Sequence, residues 1–251
     1  MSSLETRKIE PLSGTTVTLG EAGDTVAVPT GAIVKTNTVK DSGGNTLFTS
    51  DGAGTLSSVN SAFEGSMIFI SSQTAAGTQY IDFTTGIDDT YDEYVFYFVN
   101  LHPAAAGYDF QFQMRKVGDT GSSPTDFDVT MTTSTSRAYH TEANASALQY
   151  EASWDQAQTE YYQNLGPQIL ADNDASCSGE LHIYNPSNTT VIKHFWARVN
   201  VMANNPANPT STDAFSAGFF NTAEALDAIS FRMNNSAAPI DDGTIYLYGV
   251  L

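Results

Sequence analysis

The chain has 251 residues, and its 28 acidic residues against 10 basic ones give a formal net charge of −18. Nucleic-acid binding relies on a basic surface that displaces phosphate counterions, so this composition argues against a nucleic-acid partner. The apolar runs are far shorter than the roughly 20 residues that cross a bilayer, and no basic segment precedes an apolar one at the start. We therefore expect no membrane insertion and no secretory signal, with synthesis in the cytoplasm.

Residues 1–62 contain few large hydrophobic side chains and many Gly, Thr, Ser, Val and Asp residues. Short alternating segments are separated by turn-forming residues, and they span residues 15–19, 25–28, 32–35, 38–40 and 46–49. Each segment offers too narrow an apolar face to offset the entropy lost on ordering within a monomer. We predict an attachment and trimerisation segment of β-prism-like or shaft-like type, whose core is shared between chains. A loosely ordered leader is the alternative.

Residues 63–251 are richer in hydrophobic residues and show long alternations of apolar and polar side chains. These alternations predict strands at residues 66–71, 79–84, 92–100, 108–115, 126–132, 180–184, 192–201, 229–233 and 244–248. The segment 92–100 is apolar on both faces, which favours a strand covered on both sides or placed against a neighbouring subunit. Only residues 141–152 and 222–228 could form short helices instead of strands or loops. The fold class is therefore all-β, with an antiparallel jelly-roll-type β-sandwich after the N-terminal segment.

Catalytic and metal-binding patterns are absent from the sequence. The triplet His140-Thr141-Glu142 matches the start of a zinc deaminase signature, but that signature needs two further cysteines and the chain has one. This residue, Cys177, has no basic neighbour that would activate it, so we interpret it as a buried or bystander thiol. No Gly-x-Ser-x-Gly segment or phosphate-binding glycine loop occurs. We predict no catalytic residue, no cofactor and no metal.

Acidic clusters are the pattern nearest to a metal site. They comprise Asp88 and Asp89 with Asp92 and Glu93, Asp172 with Asp174, and Asp241 with Asp242. Several loop oxygens together can bind calcium, although no segment follows the twelve-residue calcium-loop pattern. We interpret these residues as solvated turns that keep an acidic surface soluble, with calcium binding as the alternative.

Aromatic residues form a candidate recognition surface in a polar stretch between predicted strands. The residues are Tyr150, Trp154, Tyr161 and Tyr162. Exposed aromatic rings stack on sugars and anchor protein interfaces, which makes this stretch the candidate site. A lid that buries these rings over the core is the alternative.

Several short segments of the chain resemble segments of a known group of proteins. They lie at residues 8–11, 14–20, 23–31, 91–94, 137–140, 179–186, 193–195 and 243–249. The first three resemble an opening module of fibre and appendage proteins encoded by marine tailed bacteriophages. The others are similar to C-terminal domains attached to that module. The shared features are packing and turn patterns, so the resemblance brings no catalytic residues.

The resemblance implies a non-enzymatic virion protein, namely a homotrimeric tail fibre or related appendage. Its N-terminal segment would attach to other virion proteins, and its sandwich would meet a glycan or protein of the host surface. A capsid decoration or vertex protein is the alternative, and a polysaccharide depolymerase is a third reading. The acidic surface favours neutral or cationic receptor groups, an effect that the salt of seawater would screen.

Overall fold

The structure, a computed structural model, describes residues 25, 27, 30, 33–54, 56–59, 66–205 and 208–251. Its regular elements are strands, apart from one 3₁₀ turn at Ala152–Trp154, and this confirms the all-β class. The strands are β1 Thr38–Lys40, β2 Thr46–Ser50, β3 Leu56–Val59, β4 Met67–Thr74, β5 Ile81–Phe83, β6 Glu93–Pro103, β7 Tyr108–Lys116, β8 Met131–Thr141, β9 Ser146–Tyr150, β10 Ala157–Thr159, β11 Gln163–Ile169, β12 Cys177–Tyr184, β13 Lys193–Asn205, β14 Asn208–Phe220, β15 Leu226–Met233 and β16 Ile240–Val250.

The chain divides into two compact units, Met1–Glu64 and Gly65–Leu251. In the first unit, β1, β2 and β3 form a small antiparallel sheet. The strand predicted at 32–35 is wrong, because residues 33–36 form no strand and Ile33 is 79% exposed. Apolar alternation alone does not make a strand when no neighbouring strand completes its hydrogen bonds. The segment predicted at 15–19 lies outside the described residues, so the trimeric shaft stays a prediction.

The second unit is one antiparallel sheet that folds into two layers. The larger layer has the order β4-β16-β6-β12-β13-β14-β8, and both β9 and β10 pair with the far edge of β8. The smaller layer has the order β11-β7-β15-β5. A single pair, Ile169 in β11 with Ala203 in β13, joins the layers along one side. The antiparallel sandwich predicted from the sequence is therefore present.

Aromatic side chains fill the space between the layers. Phe96 of β6 lies 5.5 Å from Phe83 of β5 and 5.4 Å from Phe231 of β15, measured between ring centres. Further along, the rings of Phe112 in β7 and Phe195 in β13 are 5.0 Å apart. All five rings are buried. Edge-to-face contacts of this kind add to the free energy gained from burying apolar area.

Two sequence predictions in the second unit need correction. Residues 126–130 were predicted as strand, and Phe127 and Val129 are indeed buried, yet the segment pairs with no strand and β8 begins only at Met131. The short helices predicted as an option at 141–152 and 222–228 are wrong. Asn144 takes a left-handed φ of 65° in the turn between β8 and β9, and β15 begins at Leu226.

Within the described part of the chain, no helix has the length and apolar character needed to cross a bilayer.

Candidate functional site

The four aromatic residues predicted as a recognition surface do not share one surface. Tyr150 and Tyr161 are exposed, Trp154 is half-buried, and Tyr162 is buried. The guanidinium of Arg232 lies 3.9 Å from the centre of the Tyr162 ring. This burial corrects the prediction for Tyr162, because its ring packs inside the second unit and cannot meet a large partner.

The surroundings of Tyr150 and Trp154 hold both rings through contacts within the chain. The Arg137 guanidinium lies 5.1 Å from the centre of the Trp154 ring, and its Nε is 2.7 Å from a carboxylate oxygen of Glu151. The Tyr150 hydroxyl donates a hydrogen bond to Asp155. The Trp154 ring is thus partly covered within the chain, whereas Tyr150 is 66% exposed, and binding of a partner by these residues stays a prediction.

Three of the acidic residues singled out in the sequence meet in one polar cleft. Asp174, Asp241 and Asp242 line a cleft of about 540 Å³ together with the buried His102. The Nε2 atom of His102 lies 3.0 Å from the backbone oxygen of Asp172. Among the described residues, no group of three or more His, Cys, Asp or Glu side chains is placed to hold a metal ion. The calcium alternative stays open.

Cys177 faces the core at the start of β12, where it is 1% exposed. Burial raises the pKa of its thiol to about 12, so the thiolate that would act as a nucleophile is disfavoured at neutral pH. The interpretation of Cys177 as a buried thiol is confirmed.

The outer face of the larger layer carries a broad aromatic surface. Its rings project from six adjacent strands and belong to Phe69, Tyr97, Tyr184, Trp196, Phe215, Phe219, Tyr246 and Tyr248. Phe69 is 55% exposed and Phe215 is 44% exposed. An outward sheet face in water is normally polar, so this surface is the most unusual feature of the described exterior.

Trp196 lies near the middle of this face and has two unlike sides. His182, on the neighbouring strand β12, stacks on one side of the indole with ring centres 4.0 Å apart and planes 10° apart. The other side is turned towards β14, where the residue paired with Trp196 is Ala217. Next to Ala217, on β8, lies Ser134. Phe215 of β14 stacks beside this second side, with ring centres 6.3 Å apart and planes 21° apart, and the part of the indole next to Ala217 and Ser134 borders open space.

That open space is a shallow trough of about 460 Å³. Trp196, Tyr184, His194 and Phe219 line it from β12, β13 and β14, and small residues of β14 and β8 complete the lining, namely Ala217, Gly218, Thr132, Thr133 and Ser134. Its size is within the range of small-ligand sites. None of its lining side chains is Asp, Glu, Lys or Arg. The trough therefore offers aromatic faces and neutral hydrogen-bonding groups.

Hydrogen bonds hold the Trp196 ring in place. Its Nε1 donates to the hydroxyl oxygen of Tyr184 at 2.9 Å. The stacked His182 has its Nδ1 atom 2.5 Å from a carboxylate oxygen of Glu93 on β6. Because the indole is hydrogen-bonded to Tyr184 and stacked on a His182 ring that Glu93 holds, it is positioned before any ligand arrives, which reduces the entropy lost on binding.

The sequence contained a partial signal for this site. The predicted strand 192–201 puts His194 and Trp196 on the phase opposite to the buried Phe195 and Ala197, and His194 is exposed in the structure. His182, within the predicted strand 180–184, also projects outward, and Trp196 stacks on its ring. The pairing of Trp196 with Ala217, and of Ala217 with Ser134, cannot be predicted, because strand order is not visible in a single sequence.

Comparisons of the chain with protein-family models, curated proteins and solved structures found no match.

Proposed function

We propose that this chain is a non-enzymatic structural protein of a tailed-phage virion, namely a homotrimeric tail fibre or related appendage. In this proposal the first unit attaches to other virion proteins and forms the trimer. The second unit is directed outward and recognises the host surface. The sequence resemblance at residues 8–31 and the division of the chain after Glu64 support separate roles for the two units.

The strand order supports a jelly-roll ancestry for the second unit. A jelly roll has two four-stranded sheets. The smaller layer, with the strand order β5-β15-β7-β11, corresponds to one of them. In the larger layer, the pairs β6-β12 and β8-β9 correspond to the two halves of the other. The hairpin of β13 and β14 is inserted between β12 and β8, while β16 and β4 extend the sheet beyond β6. Jelly rolls are frequent in viral capsid proteins and lectins, which is consistent with a virion protein that binds a surface.

The observation that carries the proposal is the exposed aromatic face of the larger layer. Clustered aromatic rings on a solvent-facing sheet surface, with charged residues such as Glu180 and Arg198 beside them, are typical of an interaction site. Phe69, Tyr97 and Tyr248 continue it towards the β4 edge, with ring centres 5.6 and 5.7 Å apart in the two contacts. A protein that only attaches to the particle through its first unit would not require an aromatic binding face on its second unit.

Immunogold labelling of intact phage particles tests the proposal, together with light scattering of the purified full chain. We expect label on tail-proximal projections and a mass three times that of the 26.9 kDa chain. Label spread over the head would overturn the appendage proposal and favour a decoration protein. A monomeric mass would overturn the trimer.

A further inference from the structure

We infer that the trough beside Trp196 binds a neutral sugar unit of a host-surface glycan. This inference rests on the proposed function and names the class of receptor that the outward unit recognises.

The shape of the trough suits a sugar ring. A pyranose has an apolar face of C–H groups, which gains free energy when it leaves water and packs on an aromatic ring. His182 covers one side of the Trp196 indole and Phe215 stacks beside the other, so a ligand can cover only the part of that second side that lies next to Ala217. Ala217 and Ser134 carry the smallest side chains of this row across the sheet, and their size creates the space.

The polar groups of the trough suit sugar hydroxyls. The Tyr184 oxygen accepts the hydrogen bond from Trp196, so its own proton remains available for donation to a ligand. His194 is exposed and lines the trough. The exposed Ser134 hydroxyl has no hydrogen-bond partner among the described residues. These groups both donate and accept, as recognition of a hydroxyl requires.

Charge selects a neutral sugar over an acidic one. The trough lining has no cation that would compensate a sulfate or carboxylate, and the whole chain has a net charge of −18. Arg198 is the cation on the same face of β13, and two of its nitrogens donate to the carboxylate of Asp213. An anionic glycan would therefore be repelled by the molecule and find no free partner at this position.

The test is a fluorescence titration of the full chain with neutral oligosaccharides of glucose, mannose and galactose, and with sulfated and uronate oligosaccharides of matched length. The chain has two tryptophans, so a Trp154→Phe background makes Trp196 the reporter. We expect saturable quenching or a spectral shift with at least one neutral series, and binding at least tenfold weaker for the anionic series. No response to any neutral series, or tighter binding of the anionic ones, would overturn the inference.

Ser134→Leu fills the trough from β8 without changing the core, and Ala138→Leu is its matched control. Ala138 is exposed on the same strand and face, about 13 Å away along β8. We expect Ser134→Leu to weaken sugar binding at least tenfold and Ala138→Leu to leave it within twofold. Equal binding by the two variants would overturn the site. A lower oligomer mass for Ser134→Leu alone would identify the trough as a subunit contact and would also overturn it.

Binding of the labelled full chain to host cells separates the failure of this inference from the failure of the proposed function. Cell binding that Ser134→Leu does not weaken would reject the trough and leave host recognition in place. The absence of both sugar and cell binding would reject host recognition itself.

Discussion

Tyr94 connects the core to the loop that precedes β6. Its side chain has no exposed surface, and its hydroxyl accepts a hydrogen bond from the backbone N–H of Asp88 at 3.0 Å. The same hydroxyl donates to oxygens of Asp88. Because Tyr94→Phe leaves that N–H without its partner, we expect the free energy of unfolding to fall by about 1–2 kcal/mol in urea titrations.

Tyr246→Phe is the control for Tyr94→Phe. The Tyr246 ring is half-buried on the outer face, and its hydroxyl has no hydrogen-bond partner among the described residues. We expect a change below about 0.5 kcal/mol. If both variants lose the same free energy of unfolding, the hydrogen bond between the Tyr94 hydroxyl and Asp88 does not stabilise the fold.

The stability difference between the natural chain and Tyr94→Phe also depends on pH, and the direction of the change follows from the pKa of Tyr94. Burial raises the pKa of the Tyr94 hydroxyl to about 12 from its ordinary value of 10.0. Between these two values the folded state keeps a proton that the unfolded chain releases, so stability falls as pH rises through this window. The stability difference between the natural chain and Tyr94→Phe should therefore shrink from pH 9 to pH 11.5. A difference that grows would contradict the assignment.

At the scale of residues, the sequence identified aromatic side chains as candidate recognition groups but could not tell which were exposed. Tyr161 and Tyr162 are neighbours, yet the first is 72% exposed and the second 5%. The sequence pattern does not distinguish Trp196, because it lies within a strongly alternating strand. Exposure at such positions depends on the size of side chains on paired strands, here Ala217, and those pairs are remote in sequence.

Gly179 allows β12 to lie close to β13 in the larger layer. A Cβ atom at this position would overlap the backbone oxygen of Arg198, so a larger residue forces the two strands apart. We expect Gly179→Ala to lower the free energy of unfolding by about 3 kcal/mol, the upper end of the range for overpacking. Thermal and urea unfolding of the purified variant measure this loss.

Gly166→Ala is the matched control in β11. Its Cβ would lie 3.0 Å from a methyl group of Val201 and 3.3 Å from one of Val199, and side-chain methyl groups can shift where backbone cannot. We expect a loss of about 1 kcal/mol or less. An equal loss in the two variants would show that contact with the Arg198 backbone is not decisive.

At the scale of elements, the sequence predicted strands well where one face is strongly apolar, as in β7 and β15. It missed β14 because the inward residues of that strand include Thr210, Thr212 and Ser216, which are buried but give no apolar alternation. Conversely, residues 126–130 alternate and bury Phe127 without pairing. Alternation reports which side chains are buried, whereas a strand also requires a hydrogen-bonding neighbour.

At the scale of the whole molecule, the second unit has a core of its own. Its buried hydrophobic cluster is drawn from residues between Ala75 and Leu247. A chain that begins at residue 63 should therefore unfold cooperatively, with a Tm within a few degrees of the full chain, while its mass falls from trimer to monomer and its attachment to particles is lost. Circular dichroism and light scattering measure these properties. Aggregation or non-cooperative unfolding would contradict the division into two units.

The central claim is that the outward unit recognises the host surface, and competition for phage adsorption tests it most directly. Host cells are incubated with increasing amounts of the purified full chain before phage particles are added, and the adsorption rate is measured. We predict a dose-dependent fall in adsorption with the natural chain and with Ala138→Leu, and a weaker effect with Ser134→Leu. An adsorption rate that stays unchanged at saturating protein would contradict the claim.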